Sequence, residues 1–320
     1  MTEPRAAVVH IFRPRSEGPV QVTKAHPVRL NRHMPVEDVF RVIVLECLAQ
    51  LSANAVGVRQ VREPESLHQM RVALRRLRVA LAMFKTYREP HIVELGKRAA
   101  AISEKLGPAR DLDVFLANMI DEPKSVDPHG EGFGLLTARA EKARNDAWDQ
   151  AIDCVAGPGF AVFLDDVALA AEGFRPNGKP GKPLGKVAPK VLDRAFERAE
   201  KRARDAKGDP QLFHHLRIAL KKLRYTCEFL APLYDEKSVR RYLRHLKVLQ
   251  EQLGQLNDGV HLRSTLGHLR EAGSRKANHD PALQFTLGAV EGWYAARTRS
   301  QMKKSRASWR EFRDLTPFWC

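Results

Sequence analysis

The residues best placed to do chemistry lie in two matching stretches, His68 to Arg78 (HQMRVALRRLR) and His214 to Arg224 (HHLRIALKKLR). Six of the eleven positions are identical, and Met70/Leu216, Val72/Ile218, Arg75/Lys221 and Arg76/Lys222 are conservative exchanges. A match of this quality 146 residues apart marks an internal duplication. Within each copy, cations recur in steps of three and four: His68, Arg71, Arg75 and Arg78, then His214, Arg217, Lys221 and Arg224. Guanidinium forks grip pairs of anionic oxygens, an ammonium adds a point charge, and an imidazole can donate to an oxygen and gain charge in doing so.

An ordinary solvated helix face mixes signs, with Glu four residues before Lys or Arg. Leu67 to Arg88 holds six Lys and Arg and no Asp or Glu; Pro210 to Cys227 holds four and none. Like charges at i,i+4, such as Arg71 and Arg75, repel on an isolated helix. A destabilising stripe written twice points to a polyanion that is absent from the chain itself.

The same spacing says what positions the cations. Leu67, Met70, Leu74, Leu77, Leu81 and Phe84 follow the helical rhythm one residue out of step with the basic stripe, so the stripe runs about 100° from the core seam. The copy repeats this with Phe213, Leu216, Leu220, Leu223, Cys227 and Leu230. A helix before the first copy is built on Val36, Val39, Phe40, Ile43, Val44, Cys47, Leu48 and Leu51. Further helices are expected to about Leu106, from about Leu135 to Val155, Phe160 to Phe174, Pro189 to Ala206, Lys237 to Leu253, Val260 to Ala272 and Ala282 to Phe312. Leu106-Gly107 followed by Arg110-Asp111 is echoed by Leu253-Gly254 followed by Asn257-Asp258. Basic residues also fall on the third helix of each repeat: Lys97 and Arg98, then Arg240, Arg244 and Lys247. The expected fold is all-α, two tandem pseudo-symmetric four-helix bundle units. Residues 1–34, holding four prolines and short β-like pieces such as Ala6 to Phe12, read as a tail or linker remnant; the first half spans 35–174, a Gly/Pro/Lys linker 175–187, and the second half 188–315.

Catalytic patterns are missing. No H-E-x-x-H or G-x-S-x-G occurs. Gly181-x-x-x-Gly185-Lys186 has one residue too few for a phosphate loop, and no Ser or Thr follows the lysine. Neither His68 nor His214 has a second metal ligand at i+3 or i+4; Arg71 and Arg217 stand there instead. Neither a catalytic residue, a metal nor a cofactor is expected. The paired Asp165-Asp166 is the nearest thing to a metal-binding carboxylate cluster.

The 320 residues carry net charge +16 and a pI of about 9.9, a balance that calls for an acidic partner: nucleic acid, an anionic surface or polyphosphate. Aromatic residues make up 7% and are not interleaved with the basic stripes, which counts against single-stranded nucleic acid, where stacking platforms are the rule. Cys47, Cys154, Cys227 and Cys320 are scattered, without a C-x-x-C pair, and two occupy apolar helix positions, as reduced thiols of a cytoplasmic protein do. No spanning helix and no secretory signal are expected.

The doubled H-x-x-R-(V/I)-x-x-(R/K)-(R/K)-L-R motif, with the Leu-Gly turns at Leu106 and Leu253, resembles the conserved-histidine α-helical domain, CHAD, over about residues 35–315. The resemblance implies paired helical units around a basic channel, binding of inorganic polyphosphate without catalysis, and association with polyphosphate granules. Nucleic acid is the alternative partner. Carried over position by position, the binding side chains are His68, Arg71, Arg75, Arg76 and Arg78, and His214, Arg217, Lys221, Lys222 and Arg224. Lys247 matches a family lysine upstream of the second Leu-Gly turn; its first-half equivalent is Ala100, and Lys97 stands in. Arg244, on the face of Lys247, completes the set. Members of this family often follow a CYTH triphosphatase domain. The E-x-E-x-K signature of that domain does not occur in this sequence, and residues 1–34, including Lys24 to Leu30, look like the linker end of such a partner upstream.

Overall fold

A computed structural model describes residues 20–84, 89–125, 130–176, 180–206, 210–271 and 280–320. Its regular elements are helices: α1 (Val36–Val61), α2 (Pro64–Met83), α3 (Pro90–Lys105), α4 (Gly107–Asn118), α5 (Asp121–Lys124), α6 (Glu131–Ala156), α7 (Pro158–Gly173), α8 (Leu184–Ala206), α9 (Pro210–Leu230), α10 (Glu236–Glu271) and α11 (Pro281–Arg313), with a short 3₁₀ turn at Ala231–Leu233. Among the described residues, β pairing is limited to one isolated bridge, Pro35 to Pro183. The protein is all-α, as its periodicity requires.

Local chemistry sets the helix ends. Arg62 adopts a left-handed conformation, φ 52°, which turns the next N–H, that of Glu63, back onto the Gly57 carbonyl at 3.1 Å and closes α1. Glu63 then caps α2 by accepting from the Glu65 N–H at 3.1 Å, with Pro64 at the first helical position, where its missing N–H costs nothing. Asp280 caps α11 through the N–H groups of Ala282 and Leu283 at 2.9 and 3.2 Å.

α1 and α2 pack along most of their lengths, as do α8 and α9, and α10 with α11. α3 lies on α2, and α2 meets α9 across the repeat. The halves are not independent units. α6, from the first half, packs on α11, from the second. Gly132 permits this closeness, because a Cβ there would lie 2.1 Å from Thr286 Oγ1 and 2.3 Å from the Ala282 carbonyl. One hydrophobic core runs from Val28 to Trp319. α1 has the length and apolarity of a membrane span, contrary to the expectation of none, but Val36, Val39, Phe40, Ile43, Val44, Cys47, Leu48 and Leu51 are all within 2% of complete burial in that core.

Three boundaries differ from those read in the sequence. Residues 20–34 belong to the fold: Val28 and Leu30 are buried, and Asn54 donates to the Thr23 carbonyl at 2.7 Å. Residues 1–19, including the β-like Ala6 to Phe12, lie outside the described residues. The expected linker 175–187 is helical from Leu184, because residues 32–34 satisfy the first N–H groups of α8: Leu184 N–H donates to the Met34 carbonyl at 2.8 Å and Gly185 N–H to the Arg32 carbonyl at 2.9 Å. Gly181 N–H, just before, donates to the Glu37 carboxylate at 2.9 Å. Finally, Leu253-Gly254 does not break the chain: α10 continues through it, whereas Gly107-Pro108 does separate α3 from α4. Proline makes the difference, since glycine alone only weakens a helix while Pro108 starts the next one.

Candidate functional site

The basic stripe of α2 divides into two groups. Towards the helix N-terminus stand His68, Arg71 and Arg75, all half-buried. Arg71 Nη1 donates to the Ser103 carbonyl, the last turn of α3, at 2.8 Å, and Arg75 Nε donates to the Arg71 carbonyl at 3.2 Å. Gly107 makes room for this: a Cβ there would come within 3.2 Å of Arg71 Nη1. The Leu-Gly turn is therefore the cradle of an arginine. Burial lowers the Arg71 guanidinium below its ordinary range against the opposing pull of Asp111. Burial, and then the neighbouring Arg110, push His68 down to about 4, so it stands neutral among cations at neutral pH. The charges acting on His68 are Arg110, Glu65, Arg75 and Arg71, all from the first half.

The two motif helices meet nearer their C-terminal ends. Arg76, placed by the sequence among the binding residues, turns inward there. Its side chain is 6% exposed, pairs with Glu228 of α9 at 3.2 Å, and stacks over the Phe229 ring with its guanidinium carbon 4.7 Å from the centroid. Gln69, Ala73, Arg76, Ala80 and Met83 form a second buried line on α2, because the helix packs on both α1 and α9. Arg224 is held by the same carboxylate, Nε to Glu228 Oε1 at 2.6 Å, and reaches Gln250 at 3.4 Å. Arg76 and Arg224 are thus engaged within the protein.

On the other side of this crossing lies a cavity of about 340 Å³. Arg78 of α2, Lys97 of α3, Arg194 and Arg198 of α8, and Lys222 of α9 line it, with no Asp or Glu among the described lining residues. Its walls are otherwise mostly apolar, and include Val79, Met83, Ile92 and Val191, all under 9% exposed. Lys97 also pairs with Glu94 of its own helix, at 3.1 Å with both side chains largely in solvent, where such a pair is weak. Partial burial, then Arg78, Arg198 and Arg202, lower the Lys222 ammonium below its ordinary value. Around Lys222 the neighbouring charges that act on it are all positive.

The remaining sequence candidates are distributed as follows. His214 and Lys221 are half-buried on α9, the His214 ring 6.2 Å from that of His215, and Arg217 is half-buried beside them. Arg244 and Lys247 are exposed on α10, where Lys247 sits 3.7 Å from Glu251. Arg240 likewise pairs with Glu236 at 3.3 Å. Arg98 pairs with Asp166 at 2.5 Å over the Phe163 ring, so Asp166 neutralises an arginine. Among the described residues no cluster of three or more His, Cys, Asp or Glu is arranged to hold a metal ion. The sequence thus named Arg78, Lys97 and Lys222 of the cavity and missed Arg194, Arg198 and, beside His68 near the N-terminus of α2, Arg110. Arg194, Arg198 and Arg202 do recur at i,i+4 on α8, but Glu197 and Glu200 among them give the mixed signs of an ordinary face.

The family model of the CHAD domain matches residues 42–267. No curated protein matches the chain. Among solved structures, the crystal structure of the CHAD domain from the plant Ricinus communis superposes with a TM-score of 0.78 at 27% identity, covering 92% of this chain and 98% of that one. PptA from Streptomyces chartreusis superposes with a TM-score of 0.64 at 15% identity, over 87% of this chain and 99% of its own, a likeness of fold. With the doubled motif on paired helices and a family match across most of its length, this chain belongs to the CHAD domain family.

Proposed function

We propose that this protein binds inorganic polyphosphate without transforming it, along the cationic ridge of α2 and into the cavity where α2, α3, α8 and α9 meet. One observation carries the reading: five Lys and Arg from four helices line one cavity with no Asp or Glu among its described lining residues. Gathering so many like charges around one cavity opposes folding, and a phosphate chain, with an anionic oxygen on every unit, offsets that repulsion. From Arg71 to Arg78 the ridge rises about 10 Å along the helix, enough to engage successive phosphates. His68 stands where a phosphate oxygen would raise its proton affinity, and Arg71 and Arg75 are oriented by backbone carbonyls before any ligand arrives. The family membership supports the same reading, since the CHAD resemblance implies polyphosphate binding; residence on polyphosphate granules follows from it.

Isothermal titration with long-chain polyphosphate at fixed ionic strength tests this. The Arg198→Ala/Lys222→Ala double variant, with its helical circular dichroism intact, should bind at least about tenfold more weakly, the loss of two charge-assisted contacts. Unchanged affinity would sink the proposal. Displacement of polyphosphate by short DNA or RNA at equal phosphate concentration would favour nucleic acid instead.

A further inference from the structure

The duplication makes the two sides of the α2–α9 crossing comparable residue by residue. With an offset of 146, Arg76 corresponds to Lys222, Arg78 to Arg224, and Glu228 to Ala82. On one side Glu228 neutralises Arg76 and Arg224. On the other side its counterpart is Ala82, which lines the cavity together with Arg78 and Lys222. Arg194, Arg198 and Lys97 add three further cations to that side. One ancestral arrangement has thus become two different ones, a closed ion-pair network and an open cationic pocket.

We propose that this pocket seats the terminal phosphate of a polyphosphate chain, and that Glu228 denies the pseudo-symmetric position the same role. The inference rests on the polyphosphate reading and adds an end preference to it. A terminal phosphoryl group carries a second ionisable proton with a pKa of about 6, so at neutral pH it bears nearly twice the charge of an internal one. It belongs where several cations converge and no described carboxylate lines the wall. The walls argue the same way. Val79, Met83, Ile92 and Val191 are buried apolar residues that offer no donor to a hydrated anion, so a chain entering past the basic rim has nothing polar to follow beyond it. Thr226, the hydroxyl on the wall, already donates to the Lys222 carbonyl at 2.9 Å. A chain end is therefore held, and the rest of the polymer runs out over the ridge of Arg78, Arg75 and Arg71.

Linear and cyclic phosphates separate an end from a charge. The experiment compares a linear oligophosphate with a cyclic metaphosphate of equal formal charge, each displacing a fluorescent long-chain polyphosphate from the full chain at fixed salt. The linear compound should compete about tenfold better, and in Arg198→Ala/Lys222→Ala the advantage should shrink to within about twofold. Equal competition by ring and chain against the wild type overturns the end seat while leaving polyphosphate binding standing. Failure of both compounds and of the polymer to bind overturns the underlying reading as well. A full linear preference retained by the folded double variant places the end elsewhere and overturns the assignment. Arg194→Ala and Lys97→Ala, on exposed side chains, extend the same comparison to single changes, each expected to narrow the linear advantage.

Discussion

Replacing Glu228 separates the structural role of the ion-pair network from its effect on ligand. Glu228 accepts from Arg224 at 2.6 Å and from Arg76 at 3.2 Å, and the Arg76 side chain is 6% exposed. Removing one partner of a fully buried pair costs about 3–5 kcal/mol, because the other charge is left in a poor solvent. Glu228 itself is 25% exposed, and Arg76 keeps its contact with the Phe229 ring, so Glu228→Ala should lose less, about 2–3 kcal/mol. Glu228→Gln keeps an acceptor and should lose about 1–2 kcal/mol. Urea denaturation followed by circular dichroism measures both. A loss below about 0.5 kcal/mol for Glu228→Ala would put the network in the class of surface pairs and refute the argument from burial. The same substitutions free Arg224 and remove a negative charge near the ridge. Polyphosphate affinity, measured at a temperature where the variant stays folded, should therefore rise about threefold to tenfold while stability falls. A joint fall of stability and affinity would show that the network organises the binding surface rather than competing with the ligand.

Gly107→Ala places a methyl group against Arg71 Nη1 at 3.2 Å, so the guanidinium must give by a few tenths of an ångström and its bond to the Ser103 carbonyl loosens; polyphosphate affinity should drop severalfold with a stability change of about 1 kcal/mol or less, by titration and thermal melting. His68 in the free protein should titrate near 4 by NMR, and polyphosphate should raise that value. Its folded pKa lies below the unfolded one, so the unfolded chain takes up the proton first and stability declines as pH falls from about 6.5 towards 4. His68→Gln should flatten the part of the stability profile due to this residue. Polyphosphate affinity should fall steeply with added salt, as it does when a phosphate polymer releases condensed cations, and the Arg198→Ala/Lys222→Ala variant should show a shallower slope.

What the sequence discloses and what it hides divide along physical lines. The periodicity of Leu67 to Phe84 and its copy foretold two amphipathic helices with the basic stripe beside the seam, because burial against one neighbour leaves a 3.6-residue signature. It could not foretell that α2 would be closed on by both α1 and α9, which takes Arg76 out of the expected binding set and into the interior. Arg194 and Arg198 were hidden because charge sign along one helix says nothing of which of its residues turn towards a neighbouring helix; Glu197 and Glu200 mask them in sequence, yet neither glutamate lines the cavity. The correspondence of Glu228 with Ala82 was present in the alignment of the two halves, but its meaning needed the crossing that brings Glu228 to Arg76. The continuity of α10 through Gly254 was lost for a simpler reason: the resemblance to Gly107 covers the glycine and not the proline after it.

The claim on which the rest depends is that phosphate settles in the cationic cavity between α2, α3, α8 and α9. A crystal structure of the full chain with linear tripolyphosphate tests it most directly. Phosphate density within hydrogen-bonding distance of Arg78, Arg198 and Lys222 is the expected result. Density confined to the exposed lysines and arginines of α10, with the cavity holding only water, would contradict it.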